Sequence, residues 1–482
     1  MRSREAGGWA SLRAEPMNDL AAPSSSAAAG PPRHGARWAL GLLLLINLLN
    51  YMDRQVLAAV VGPIQQSFFG ANGQVRGSVA LQDLQDWCHV HLGFQPELAL
   101  IGVLTMAFMV TYMIGAPIFG RLAERHSRWG LIAVGVALWS LASGASGLAG
   151  TFMALLVTRC LVGVGEAAYG PVAPTLIADF FPVASRGWAL AWFYMAIPVG
   201  SALGYVLGGA VANSGIGAWG SQLIGGPAES WRWSFFLVVP PGLLLAMLCF
   251  FMREPRVGQT DVVARPARPT GWRQYRVLLR TPSFVLCTLG MTAMTFAMGG
   301  VAFWMPYYLE HQPGAPANTT ITFGGIIIVT GLAGTLLGGW MGDKLRARHP
   351  GSYFSVSGVG MLLGFPFMVA MLYAPFPWVW VFLFVTSFFL FFNTGPTNTI
   401  LANVTHPAIR AAGYAVNILI IHSFGDVISP VIIGVLSDRY NMRVAFLLVG
   451  LMYVLSGALW LWGARHLARD TELAVNRLEE TA

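Results

Sequence analysis

Charge is scarce in this chain: Asp, Glu, Lys and Arg make up 10% of its 482 residues, against roughly 25% in an ordinary soluble domain. With 55% apolar residues and a mean hydropathy of +0.60, it has too little polarity to cover a water-facing surface. Lysine is almost missing, since all but Lys344 of the 29 basic residues are arginine. Cysteine is limited to four residues, which excludes a disulfide framework. Cys160, Cys249 and Cys287 lie in or beside apolar segments, and Cys88 sits in a loop. There is no GxxxxGK[ST] phosphate loop, no HExxH and no GxSxG, so an ATP-driven pump, a zinc protease and a serine hydrolase all lack their central groups. Cys88, His89 and His91 have metal-binding spacing but no matching ligands elsewhere, and read as a surface loop. No cofactor or metal is expected.

What is present is hydrophobic length. Windows of roughly 20 residues give twelve apolar segments, starting near Trp38, Leu98, Trp129, Phe152, Trp188, Phe235, Phe284, Ile321, Phe354, Trp378, Ala411 and Ala445. The expected fold class is an all-α membrane protein with twelve transmembrane helices in two six-helix bundles, and no room is left for a soluble catalytic domain. The amino-terminal stretch 1–36 is rich in Ala, Ser, Pro and Gly and is expected to be a disordered cytoplasmic tail. The first bundle covers 37–252, a linker 253–282 carries seven arginines and Pro255, Pro266 and Pro269, the second bundle covers 283–465, and 466–482 forms a second tail.

Orientation follows from the arginines. With the amino terminus cytoplasmic, alternate loops and both tails hold 23 of the 29 basic residues, while Arg76, Arg232, Arg439 and Arg443 fall on the opposite side. This bias obeys the positive-inside rule and places both termini in the cytoplasm, with the chain expected in the plasma (inner) membrane. The net charge of +8 reads as topology and attraction to anionic lipid heads; charges spread over so many loops do not suit nucleic acid. A monomer is expected.

Four ionisable residues interrupt the apolar runs: Asp53 and Arg54 in LINLLNYMDRQVLAAV, and Arg159 and Glu166 in LLVTRCLVGVGEAA. Charges at such depth are costly and mark solute or proton pathways. Arg159 and Glu166, two helical turns apart, lie on one face about 10 Å apart along the axis. That is too far for a direct pair and leaves space for a third group, either Asp53 or Arg54. Protonating one acid would free an arginine, whose planar fork suits phosphate or carboxylate. Asp53 and Glu166 are therefore the expected proton carriers, with Arg54 and Arg159, and Tyr51 beside them, contacting the substrate; the bland alternative is a permanent network that only fixes helix register. His422 and Asp426, four apart, share a face and form a second candidate proton site or an ordinary interhelical hydrogen bond. Asn393, Asn398 and Asn417 are candidate polar contacts in the second half. Gly200, Gly204 and Gly208 form a small-residue stripe suited to close helix contact.

The stretch GRLAERHSR, Gly120 to Arg128, and the stretch GGWMGDKLRAR, Gly338 to Arg348, each follow the second helix of a half, and GVLSDR is a weaker echo after the eleventh segment. Repeats at matching places point to a transporter built by duplication, with the solute site between its halves. GRLAERHSR resembles the cytoplasmic loop motif of the major facilitator superfamily, with Glu124 where aspartate is usual and Ser127 where glycine is usual. The resemblance implies a gating role for Gly120, Arg121, Glu124 and Arg125, and for Gly342, Asp343 and Lys344 in the second copy: stapling the halves in the outward-facing state. NLLNYMDR, TRCLVGVGEAAYGPVAPTLIADFF, YMAIPVGSALGYVLGG and IHSFGDVISPVIIGVLSDR together resemble the Spinster branch of that superfamily. This implies proton-coupled export of sphingosine-phosphate or lysophospholipids by alternating access, and supports a role for His422 and Asp426. The arginine-rich and alanine-rich composition points to a bacterial source, and the outer stretch from Gly70 to Pro96 is longer than the branch's usual first outer loop. Transport of a small organic anion or drug-like compound is the alternative substrate reading, and a non-transporting sensor on the same scaffold is the alternative of another class.

Overall fold

The computed structural model describes residues 35–225, 228–256, 273–406 and 409–474. Most of the amino-terminal tail expected at 1–36 and of the linker expected at 253–282, and residues 475–482 of the second tail, lie outside the described residues. The described chain is helical, apart from one isolated bridge between Phe69 and Val75.

Helix α1 (Ala36–Ala59) bends by 54° into α2 (Val61–Phe68). A loop bearing α3 (Val79–Leu92) leads to α4 (Leu98–Leu122), α5 (Arg128–Leu148), α6 (Phe152–Ala167), α7 (Ala173–Phe180) and α8 (Val183–Ala212). After α9 (Ile216–Ile224), helices α10 (Ser230–Leu237) and α11 (Val239–Cys249) together make one span. The second half holds α12 (Arg273–Leu279), α13 (Pro282–Glu310), α14 (Thr319–Arg346) and α15 (Ser352–Tyr373). There follow α16 (Trp378–Phe392), α17 (Thr394–Val404), α18 (Arg410–Ile421), a π-helical turn at His422–Asp426, α19 (Ser429–Arg439), α20 (Met442–Gly463) and α21 (Leu467–Leu473).

Ten helical stretches among the described residues are long and apolar enough to cross a membrane, eleven with the bent α1–α2 pair. The fold is all-α and multi-spanning. The count differs from twelve at the segment that starts near Phe152, where the turn around Gly170 and Pro171 separates α6 from α7. Proline has no amide to continue the helical ladder and disfavours helical backbone in the residue before it, so neither piece reaches the length of a span.

Lipid gives no hydrophobic drive for helix association, so close packing must hold the helices together. The glycine stripe of α8 does this against α1. A Cβ on Gly200 would lie 2.5 Å from the Leu48 carbonyl oxygen, and one on Gly204 would lie 2.3 Å from that of Met52. With no side chain between them the two backbones touch, and this fixes the rotation of α1 and hence the directions of Asp53 and Arg54. Large apolar side chains such as Ile114, Val134, Leu336 and Leu451 remain exposed, while Trp139, Trp304 and Trp460 fill the interior.

Candidate functional site

Asp53 and Arg54 are neighbours in sequence, so the helix turns them about 100° apart toward different partners. Arg54 reaches α6, where its Nε and Nη2 both lie 2.6 Å from Glu166 Oε2. Asp53 faces α5, where Ser143 Oγ donates to its Oδ1 at 2.5 Å. Arg159 Nη2 donates to Ser146 Oγ at 2.6 Å, and its guanidinium lies 5.1 Å from the Phe235 ring centroid. Asp53 and Arg159 feel each other's charge, but no ion pair joins them. Thus the third group beside Glu166 is Arg54, and the second acid and second arginine are held by serines.

Three aromatic rings surround the Arg54 guanidinium, those of Tyr51, Phe108 and Tyr112, with centroids at 4.9, 5.1 and 5.2 Å. Their faces stabilise a cation while leaving its edge free for hydrogen bonds. The Arg54 side chain is 18% exposed and that of Glu166 fully buried, so the pair is reached from the arginine's side. Around it, four buried polar atoms have no close hydrogen-bond partner among the described residues, Asn50 Nδ2, Asp53 Oδ2, Arg159 Nε and Glu166 Oε1, with Asn50 near enough to Glu166 to act on it. Buried polar atoms are normally satisfied, and these are concentrated beside the Arg54–Glu166 pair, between α1 and α6. Among these helices Ser143, Ser146, Phe108 and Tyr112 were not singled out from sequence. The available signal was the pair of serines three residues apart in the apolar α5.

His422 and Asp426 do meet: Nδ1 lies 2.9 Å from both carboxylate oxygens. They sit on the π-helical turn, closed by the Val427 amide donating to the His422 carbonyl at 3.2 Å. Such turns recur at functional sites. The asparagines are placed apart from the α1–α6 cluster. Asn393 is buried and donates to the Leu390 carbonyl at 2.9 Å, Asn417 is buried and donates to Thr288 Oγ1 at 3.0 Å, and Asn398 is exposed and donates to the Thr394 carbonyl at 2.9 Å.

At the arginine-rich end, Arg121, Glu124 and Arg125 are exposed and make no ion pair among the described residues. The last arginine of GRLAERHSR is the one engaged: Arg128 Nη1 donates to Asp179 at 2.5 Å, Nε to Glu254 at 2.7 Å and Nη2 to the Pro255 carbonyl at 2.8 Å. In the second copy Asp343 accepts from Tyr353 at 2.7 Å, and Lys344 lies 4.6 Å from the Trp340 ring centroid. Gly120 is open to a side chain, whereas Gly342 packs against Tyr353.

The profile of the Major Facilitator Superfamily matches residues 43–425. The chain is also 35% identical to human Protein spinster homolog 1 over 424 residues, covering 83% of this chain and 72% of the human protein. It belongs to the Spinster branch of that superfamily. Spinster homolog 3 of Danio rerio is 32% identical over 471 residues, covering 90% of this chain and 86% of the fish protein. Among solved structures, a bacterial homolog of the human lysosomal transporter Spinster, inward-facing and unoccupied, matches with TM-score 0.75 and 23% identity over 90% of this chain and 98% of that one. A D-xylose-proton symporter matches with TM-score 0.65 and 19% identity, covering 88% and 97%. At these identities the solved structures establish the shared fold. The chain is thus a membrane transporter by family and not an enzyme. The expectation of a plasma-membrane location is corrected by the same comparison: the human Spinster protein to which the solved homolog is related is a lysosomal transporter, so Spinster membership gives no support to the plasma membrane, and that assignment is withdrawn.

Proposed function

We propose that this Spinster-branch chain is a proton-coupled secondary carrier for an amphiphilic anion, a lysophospholipid or sphingosine-phosphate-like lipid, working by alternating access. The observation that carries the reading is the Arg54–Glu166 pair, half reachable and surrounded by unpartnered polar atoms. When Glu166 takes up a proton, its attraction for Arg54 falls, and the guanidinium turns to the anionic head group; when the head group leaves, Glu166 releases its proton and recaptures Arg54. Asp53 is the second proton carrier and Arg159 the second head-group contact, with His422 and Asp426 as a separate proton site.

The architecture we infer counts α1–α2 as one span and α6–α7 as another, giving twelve spans in bundles 37–252 and 283–465 joined by 253–282, with both bundles rocking about the central site. Composition supports a bacterial source and a monomer is the expected working unit. The hydrogen bonds between the two halves support a state open toward the arginine-rich end: Leu98 and Ala99 to Asp438, Tyr205 to Ala302, and Tyr307 to Gln65 all lie at the opposite end, and the exposed Glu124 is disengaged.

Thermal unfolding of the purified protein with lysophospholipids, sphingoid phosphates and small organic acids tests the substrate class. A ligand present at 100 times its Kd stabilises by about 2.7 kcal/mol. Lysolipids and sphingoid phosphates should raise the apparent Tm, and more so at acid pH, while small acids should not. Stabilisation by small acids alone would overturn the lipid reading; lipid binding without flux in proteoliposomes would replace transport by sensing.

A further inference from the structure

At the far end of the molecule, opposite the arginine-rich one, a carboxylate bridges the two halves. Asp438, in the last turn of α19, accepts the Leu98 amide on Oδ1 at 2.9 Å and the Ala99 amide on Oδ2 at 2.8 Å. These are the first two amides of α4, donors that no carbonyl within their own helix can satisfy, at the end where the helix dipole favours negative charge. We propose that Asp438 is the latch that holds the far end shut, and that its release lets the halves part there.

The surroundings are built for a joint that is either fully closed or open. Inward from the carboxylate, α4 and α19 touch backbone to backbone at two successive levels: a Cβ on Gly434 would lie 2.7 Å from Ala99 Cα, and one on Gly102 would lie 2.6 Å from the Pro430 carbonyl oxygen. The Trp304 indole donates to that same Pro430 carbonyl at 2.9 Å, so α19 is tied to α13 and moves with it. A second crossing lies alongside, where Gln65 donates to Glu97 at 2.7 Å and accepts from Tyr307 at 2.7 Å. Burial pushes the Glu97 carboxyl above its ordinary range, with the Gln65 hydrogen bond opposing, as expected for a partly dry joint. Glu97 and Asp438 repel one another, so the charged group facing the latch is the Glu97 carboxylate, while Arg439, next in chain, lies over the Tyr440 ring at 5.6 Å. Asp438 belongs to GVLSDR, the faint third copy of the loop motif. The copy that begins at Gly120 ends α4 at the other side of the membrane, where its acid is exposed. Of these two acids on opposite sides, Asp438 is engaged with the other half while Glu124 is exposed.

The latch rests on the alternating-access reading but not on the substrate. Hydrogen–deuterium exchange of the full-length protein without substrate, followed in the first turn of α4 and around Phe119 to Arg125, tests both separately. In Asp438→Asn, which keeps size but loses the charge and one acceptor, exchange at Leu98 and Ala99 should rise at least about tenfold while exchange around Phe119 to Arg125 falls. Asp438→Glu should restore the wild-type pattern, and Glu97→Gln, which relieves repulsion and keeps the Gln65 contact, should leave α4 equally or better protected. Gly434→Val should act like Asp438→Asn, by wedging the backbones apart. Unchanged exchange in Asp438→Asn overturns the latch, and so does a rise at both ends, which would mean general loosening. A rise at the far end with no change at the other would keep the latch and overturn alternating access.

Discussion

In Glu166→Gln protein, binding of the anionic lipid loses most of its dependence on pH, keeping only the part carried by Asp53 and the His422–Asp426 site. In the wild type a proton on Glu166 frees Arg54, so proton and anion favour each other's binding, with a coupling expected at about 1–3 kcal/mol, or about 5–150-fold in affinity. Affinity should therefore rise as pH falls. Glutamine imitates the protonated acid: Arg54 is released at every pH, the lipid binds near the tight limit throughout, and a pH gradient drives uptake far more weakly even though lipid-for-lipid counterflow continues. Binding isotherms across pH and the two flux assays check this together. If the variant retained wild-type pH dependence and gradient-driven uptake, Glu166 would carry no coupled proton.

The second large effect concerns the pair itself. Removing one member of a buried ion pair leaves the other charge without compensation and costs about 3–5 kcal/mol, whereas replacing both with apolar side chains is often neutral. Arg54→Met should accordingly lose much of its thermal stability, since Glu166 Oε1 already lacks a partner. Adding Glu166→Met should recover most of that loss while leaving transport dead. Unfolding measured at one scan rate across the wild type, Arg54→Met and the double variant gives the comparison, because irreversible unfolding makes Tm rate-dependent. If the double variant were as unstable as Arg54→Met, the two residues would not be acting as a pair.

The sequence announces the spans because a bilayer imposes a length on every apolar run. It announces the costly residues too, because a charge stands out in such a run. What it leaves open is pairing. Asp53 and Arg54 are equal candidates for the space beside Glu166 until the rotation of α1 is known, and that rotation is set by contact with the α8 glycines. The hydroxyl partners of Asp53 and Arg159 were harder to foresee, because serine is common and unremarkable in apolar helices. His422 and Asp426 share a face at helical spacing, and they meet; the π-helical turn beneath them has no comparable signature. Asp438 could be noticed only as part of a faint repeat, since its partners are backbone amides of a helix more than three hundred residues away, invisible to any pattern of side chains.

The central claim is that the Arg54–Glu166 contact opens by protonation when substrate arrives, and infrared difference spectroscopy observes that event directly. Adding lysolipid to the wild-type protein should produce a protonated-carboxyl band that is absent from Glu166→Gln and present in Asp438→Asn. A spectrum in which substrate binds and no carboxyl band dependent on Glu166 forms would contradict the account, leaving the pair as a fixed brace between α1 and α6.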